Sequence, residues 1–250
     1  MHADDAETQL AALLAEHAGE RPWEHRRPRV AWQADQLLKH LPASVYRPSG
    51  SFESEVIAAP LRRSRIGLSS RLQQAVTMLE LPEAPRRYDE GRERATQRRK
   101  ARQAERLGVT WRVVDDPAEK QRLLDAALDY ERNHPQEQYR SEAPEHGELL
   151  DIDLWLVAEH EGAPLLLSVT PVDGAWSLLR YFRTLQEGPA ASAARYLMTG
   201  VLAEELIRRG VRHLCDTRTP FRLPAGLQHF SRMVGFRVRR VKVETAPVLS

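Results

Sequence analysis

The chain has one cysteine, Cys215, in 250 residues, which excludes an intrachain disulfide framework and any cysteine-rich metal centre. Its nine histidines form no HExxH or comparable ligand spacing, so the sequence gives metal catalysis no support. Also missing are a Ser-His-Asp motif, a Walker loop and a Rossmann fingerprint, which leaves hydrolase, ATPase and dehydrogenase readings without a positive signal. No apolar run approaches the length of a membrane-spanning helix. The first twenty residues begin acidic and contain no signal-peptide core, so the expected location is cytoplasmic.

What is present reads as an ordinary folded protein. Hydrophobic residues make up 42% and charged residues 29%, enough apolar material to build a core and too much for disorder. The net charge is only +2, but its distribution is uneven. Between Arg86 and Arg106 nine Arg or Lys face Asp89, Glu90, Glu93 and Glu105, a local excess of five positive charges.

In chain order, Leu10, Leu13 and Leu14 give residues 7–18 a helical pattern with Thr8 as a cap, a helix also suited to pairing two copies of the chain. Residues 19–29 read as a connector and Val30–Leu41 as a second helix. Val56–Pro60 and Ala75–Leu81 predict strands, with Ile66–Leu72 as a partner for the second. Tyr88–Leu107 predicts a charged helix ending at Gly108, with Arg92, Arg99, Arg102 and Arg106 near one face and Arg94 and Arg98 beside it. Val109–Val114 is the next strand, and a helix starts at Pro117 and stops before Pro135. Residues 133–150, with His134, Tyr139 and His146, predict a polar loop.

Residues 154–185 carry the clearest β signal, LWLVAE, LLLSVT and AWSLLRYFRTL, an antiparallel meander of three strands. Alternation on the third puts Tyr181 and Arg183 on one face and Arg180 and Phe182 on the other. A helix follows, with Tyr196, Leu197, Val201, Leu202, Leu206 and Ile207 on its apolar face, and Gly210 ends it. Val211–Cys215 is then a short strand, with Asp216, Thr217 and Arg218 just past its end. Cys215 reads as a buried structural thiol.

The run from Tyr181 to Phe236, closing on Gly226-Leu227-Gln228-His229-Phe230 and Met233-Val234-Gly235-Phe236, resembles the C-terminal half of the GNAT acyltransferase fold. With the Arg-rich stretch leading into Gly108-Val109-Thr110-Trp111-Arg112, it is similar to Fem-type aminoacyl and peptidyl transferases and to acetyltransferases of cellulose or peptidoglycan biosynthesis type, over roughly residues 85–243. The resemblance implies an α/β fold, a GNAT-like mixed and mostly antiparallel sheet flanked by helices, with a shortened N-terminal half. It divides the chain into residues 1–85, an N-terminal helical segment and partial first half, and residues 86–250, the acyltransferase domain.

The resemblance also implies a reaction, transfer of a carbonyl group from acyl-CoA or aminoacyl-tRNA to a small-molecule or peptide amine. In GNAT enzymes a [Gln/Arg]-x-x-Gly-x-[Gly/Ala] turn presents amides to the CoA pyrophosphate. Here Leu185 replaces the first residue, Glu187 brings a negative charge and Pro189 removes an amide, while Gly188 and Ala190 match. Gly188, Ala190, Ala191, Ser192 and Arg195 are therefore the candidate donor-binding residues, and the departures shift weight from acyl-CoA toward aminoacyl-tRNA. Asp216, Arg218, Arg183 and Tyr181 are the candidate catalytic residues: a carboxylate to take the amine proton, cations to meet an oxyanion or an acceptor carboxylate. An Asp216–Arg218 ion pair bracing the loop is the bland alternative. Arg92, Arg99, Arg102 and Arg106 are candidate RNA contacts, against the alternatives of a solvated face and an acidic partner. His229 reads as structural. A non-catalytic module that keeps the core but not the donor is the competing reading.

Overall fold

A computed structural model describes residues 1–18, 27–62, 69–84, 88–137, 140–141 and 146–244. Most of the 19–29 connector, Ile66–Leu68 of one expected strand, Arg86 and Arg87 of the basic run, and Tyr139 lie outside them. In chain order the helices are α1 (Ala3–Glu16), α2 (Pro28–Leu38), α3 (Phe52–Leu61), α4 (Ser70–Gln74), α5 (Ala95–Arg106), α6 (Pro117–Arg132), α7 (Pro189–Arg208) and α8 (Ala225–Met233). The strands are β1 (Ala43–Tyr46), β2 (Ala75–Glu80), β3 (Thr110–Val113), β4 (Leu154–His160), β5 (Ala163–Thr170), β6 (Val172–Asp173), β7 (Trp176–Leu179), β8 (Tyr181–Thr184), β9 (His213–Asp216) and β10 (Arg237–Val243).

These elements form two compact units, both discontinuous in sequence. One comprises residues 1–81, 173–178 and 211–250; the other comprises 82–172 and 179–210. The fold is mixed α/β with mostly antiparallel sheets flanked by helices, as the sequence implied.

In the first unit the sheet order is β1-β10-β2-β9-β7-β6, with β1 and β10 parallel and β2 antiparallel to both β10 and β9. Leu10, Leu13 and Leu14 of α1 and Leu37 and Leu38 of α2 bury against Leu72 and Phe221. Burial of each such side chain contributes on the order of 2 kcal/mol. Thr8 does not cap α1: the helix begins at Ala3, and the Thr8 hydroxyl donates to the Asp4 carbonyl at 2.9 Å. Val56–Pro60 is helical, not a strand. The Ser51 hydroxyl accepts the Ser54 N–H, and Glu53 and Glu55 complement the positive end of the helix, so capping decides what a five-residue apolar run left ambiguous. The described part of Ile66–Leu72 is likewise helical, capped by Ser69 through the Leu72 N–H.

In the second unit four antiparallel strands run in the order β3-β4-β5-β8. α5 packs on α7, and α7 packs on β4 and β5. The basic helix is shorter than expected. Residues Arg92–Arg94 form a 3-10 turn, and α5 proper starts at Ala95, because Gly91 enters at φ +86°. The expected third strand of the meander divides at Arg180: β7 joins the first sheet and β8 the second. Arg180 is held by an ion pair with Glu148 where the chain leaves one ladder for the other.

Candidate functional site

On β8 the two-residue repeat points Tyr181 and Arg183 to one face, paired in register with Val169 and Leu167 of β5. Both meet Glu131, on the last turn of α6. The Tyr181 hydroxyl donates to Oε1 at 2.9 Å, and an Arg183 guanidinium nitrogen lies 2.8 Å from the same oxygen. The other oxygen lies 3.2 Å from His146 Nε2, and the His146 ring stands edge-on to Tyr181 with centroids 5.4 Å apart. Glu131 is 2% exposed. Burial alone would raise its carboxyl, but the His146 bond, the Arg183 charge and the Tyr181 hydroxyl together hold it below the usual carboxylate range. Tyr181 is pushed well above a normal phenol, first by burial and then by the Glu131 charge and bond. Tyr181 is thus a committed hydrogen-bond donor, not a base. Sequence reading named Tyr181 and Arg183 but missed Glu131, which sits at an ordinary charged position of an amphipathic helix, and placed His146 only in a loop.

β8 runs on into the turn expected to bind the donor. The Leu185 N–H bonds the Leu165 carbonyl at 2.8 Å, and the Gln186 amide bonds the Pro164 carbonyl at 2.9 Å, so the start of the turn is fixed to β5. Gly188 is the N-cap of α7 at φ +113°, a conformation in which only glycine is unstrained. The Ser192 N–H returns to the Gly188 carbonyl at 3.1 Å. Pro189 has no N–H, so the amides of Ala190 and Ala191 are the first-turn donors that helix geometry leaves for an outside acceptor. The Glu187 carboxylate beside them accepts from Gln136 Nε2 at 3.2 Å. Arg195 lies one turn further along α7, where its carbonyl accepts the Thr199 hydroxyl at 2.7 Å.

Arg92, Arg99, Arg102 and Arg106 are all exposed, on the 3-10 turn and α5. Arg98 bonds the carbonyls of Asp89 and Gly91, and Arg94 lies over the Tyr88 ring, with its guanidinium carbon 5.2 Å from the centroid. These two brace the start of the helix, and the outward face stays basic. The buried contacts of α5 are Gln97 and Ala104. A Cβ on Gly200 of α7 would come within 3.4 Å of Gln97 Nε2.

Asp216 and Arg218 belong to the other unit. Asp216 is the last residue of β9 and is half-buried, and Oδ1 accepts the Arg218 backbone N–H at 2.9 Å and the Thr217 hydroxyl at 3.5 Å. Burial raises its carboxyl, with the Arg218 N–H and charge opposing. Arg218 reaches Asp216 through its backbone: among the described residues no ion pair joins the two side chains. Both line a cavity of about 40 Å³ with Thr217, Gln73, Leu61 and Val76. A preformed pocket for a cofactor-sized ligand would be several hundred Å³. Cys215, next in the strand, is fully buried, and burial followed by the Asp216 charge pushes its thiol up to about 12, so it is no nucleophile. His229 is exposed on α8, while its neighbour Gln228 is buried and bonds the carbonyls of Leu14 and Leu223. Among the described residues no three His, Cys, Asp or Glu side chains group as metal ligands, and no helix is long and apolar enough to cross a membrane.

No family model matches the sequence, and no curated protein matches it. Among solved structures, the chain is similar to the C-terminal domain of a putative lysylphosphatidylglycerol synthetase from Agrobacterium fabrum, with 13% identity and a TM-score of 0.45 over 66% of this chain and 58% of that one. It is also similar to L-PGS from Bacillus licheniformis, with 15% identity and a TM-score of 0.48 over 70% of this chain and 62% of that one. The chain spans less than two thirds of the length of either.

Proposed function

We propose that this chain is an acyl or aminoacyl transferase with a GNAT-type core, moving a carbonyl group from aminoacyl-tRNA or acyl-CoA onto an amine. The observation that carries the reading is the turn from Leu185 to Ser192, where a strand fixed to its neighbour delivers the chain into a long helix whose first free amides follow a glycine cap. Amides at a helix N-terminus that lack an intrahelical acceptor are suited to an anionic donor. Between the two donors, aminoacyl-tRNA fits better. The Glu187 carboxylate and the missing amide of Pro189 disfavour a pyrophosphate, and the same unit carries the exposed arginines of α5.

The reaction forms a C–N bond at the donor carbonyl and breaks its C–O or C–S bond. The amine must lose a proton, which the leaving oxygen or sulfur finally takes up. Asp216 is assigned to receive that proton, since burial raises its affinity for one. Arg218, in the unit of Asp216, is assigned to an anionic oxygen of the acceptor, and Arg183, in the unit of the donor turn, shares its charge with Glu131 and is assigned to an anionic oxygen of the donor. Tyr181, which donates to Glu131, positions that arginine.

A second reading, a GNAT-derived binding module that contacts RNA through Arg92, Arg99, Arg102 and Arg106, is favoured by the same Glu187 and Pro189. Thermal unfolding with acetyl-CoA, longer acyl-CoAs and charged tRNA separates the two, because a ligand bound only by the native state raises its apparent stability. A shift with charged tRNA that exceeds the shift with uncharged tRNA supports the transferase. Equal shifts support the RNA-binding module, and no shift with any donor removes the transferase reading.

A further inference from the structure

At the end of β9 two opposite charges stand two residues apart without pairing. Asp216 Oδ1 accepts the Arg218 N–H and the Thr217 hydroxyl, and the Thr217 backbone N–H also bonds the carboxyl. The Arg218 guanidinium is exposed and makes no ion pair among the described residues. Both residues line one cavity, with Thr217 and Thr219 on the polar side and Pro60, Leu61, Leu72 and Val76 on the apolar side. The backbone bond turns the chain back on Asp216, so that Arg218 meets the carboxylate through its N–H. A half-buried carboxylate favours a cation, and a guanidinium fork favours a carboxylate. A ligand that satisfies both carries an ammonium and a carboxylate close together, and the apolar wall limits what else it carries.

We infer that this pocket binds a free α-amino acid with a small apolar side chain, its ammonium on Asp216 and its carboxylate on Arg218. In an α-amino acid the two charges flank a single carbon, so one ligand can meet both groups. The cavity, about 40 Å³, has room for about three waters, which matches the charged end of such a ligand and leaves the side chain against Leu61, Leu72 and Val76. Thr217 keeps lone pairs free to accept from the ammonium while its hydroxyl donates to Oδ1. The inference deepens the transferase reading, which asks only for an amine, and rests on it for catalysis but not for binding.

Calorimetric titration of the full chain, with no donor present, tests it. The ligands are L-alanine, glycine, ethylamine and propionate. L-Alanine is expected to bind, with ethylamine and propionate weaker by about tenfold or more, about 1.4 kcal/mol each. Asp216→Asn and Arg218→Gln keep the backbone hydrogen bond and are each expected to lose about tenfold in L-alanine affinity, with the circular dichroism spectrum unchanged. Absence of L-alanine and glycine binding at millimolar concentration overturns the inference. So does ethylamine or propionate binding as tightly as L-alanine, a comparison made on the unmodified protein and independent of how the variants fold. Because no donor is involved, failure here leaves the transferase reading to its own test.

Discussion

Replacing Glu131 by Gln should destabilise the fold by an amount set by the three donors it serves. The carboxylate is 2% exposed and accepts from Tyr181, Arg183 and His146. Hydrogen bonds to a charged group contribute ~1.5–3 kcal/mol and neutral ones ~0.5–1.5, so each loses about 1 kcal/mol when the charge goes. Arg183 is 41% exposed, and solvent screening reduces its share toward zero. The expected loss is therefore about 2 kcal/mol, and Glu131→Ala adds ~1–3 kcal/mol by leaving the buried Tyr181 hydroxyl without its acceptor. Urea unfolding at neutral pH reads the change as a lower midpoint with an unchanged slope. Tyr181→Phe should cost about 1.5 kcal/mol alone and about 1 kcal/mol less in the Glu131→Gln background, because the two share one bond. The pH dependence has a definite sign. The folded-state pKa of Glu131 lies below its reference of 4.5, so its contribution is complete above that reference and is lost as pH falls through the folded value. Glu131→Gln should flatten the acid limb of the stability curve. A Glu131→Gln protein as stable as the parent, or additive behaviour of the two substitutions, would refute the reasoning.

Other expectations follow from single features. Cys215 should resist a thiol reagent in the native protein at pH 8 and react fully once urea unfolds it, since burial holds the thiol protonated; fast native labelling contradicts its placement. Gly188→Ala should cost about 1–2 kcal/mol in unfolding experiments through strain at φ +113°, since a Cβ there meets nothing within 4 Å. Changing Arg99, Arg102 and Arg106 together to Ala should weaken RNA binding at low salt and lower the slope of log affinity against log salt by about 2 for a single strand. An unchanged slope would return those arginines to a solvated face.

Much of the second unit was legible because its signals are local. Pro117 at a helix start, Gly188 before Pro189, and the short apolar runs from Leu154 each specify an element from a few residues. The division at Arg180 was not, because the alternation of Trp176–Leu179 continues into Tyr181–Thr184 without a glycine or proline to mark the change of sheet. Val56–Pro60 was misread for a different reason: its composition suits a strand, and only the cap at Ser51 reveals a helix. Of the candidate site, the shared strand face of Tyr181 and Arg183 and the place of Asp216 and Arg218 around the end of a strand followed from pattern. Their partners did not, since Glu131 lies 50 residues from Tyr181 and its burial depends on tertiary packing. That Arg218 uses its backbone and not its guanidinium on Asp216 is likewise set by loop geometry, which no spacing rule contains.

The central claim is transfer of a carbonyl group to an amine, and single-turnover assay measures it most directly. Aminoacyl-tRNA labelled in the amino acid is mixed with excess protein and small amines, free amino acids included, and new amide is separated from hydrolysed donor. The account predicts amide formation that is lost with Asp216→Asn while the fold and donor binding persist. Amide formation unchanged by Asp216→Asn would contradict the assigned role, and donor hydrolysis at the background rate with no amide from either tRNA or acyl-CoA donors would contradict the transferase itself.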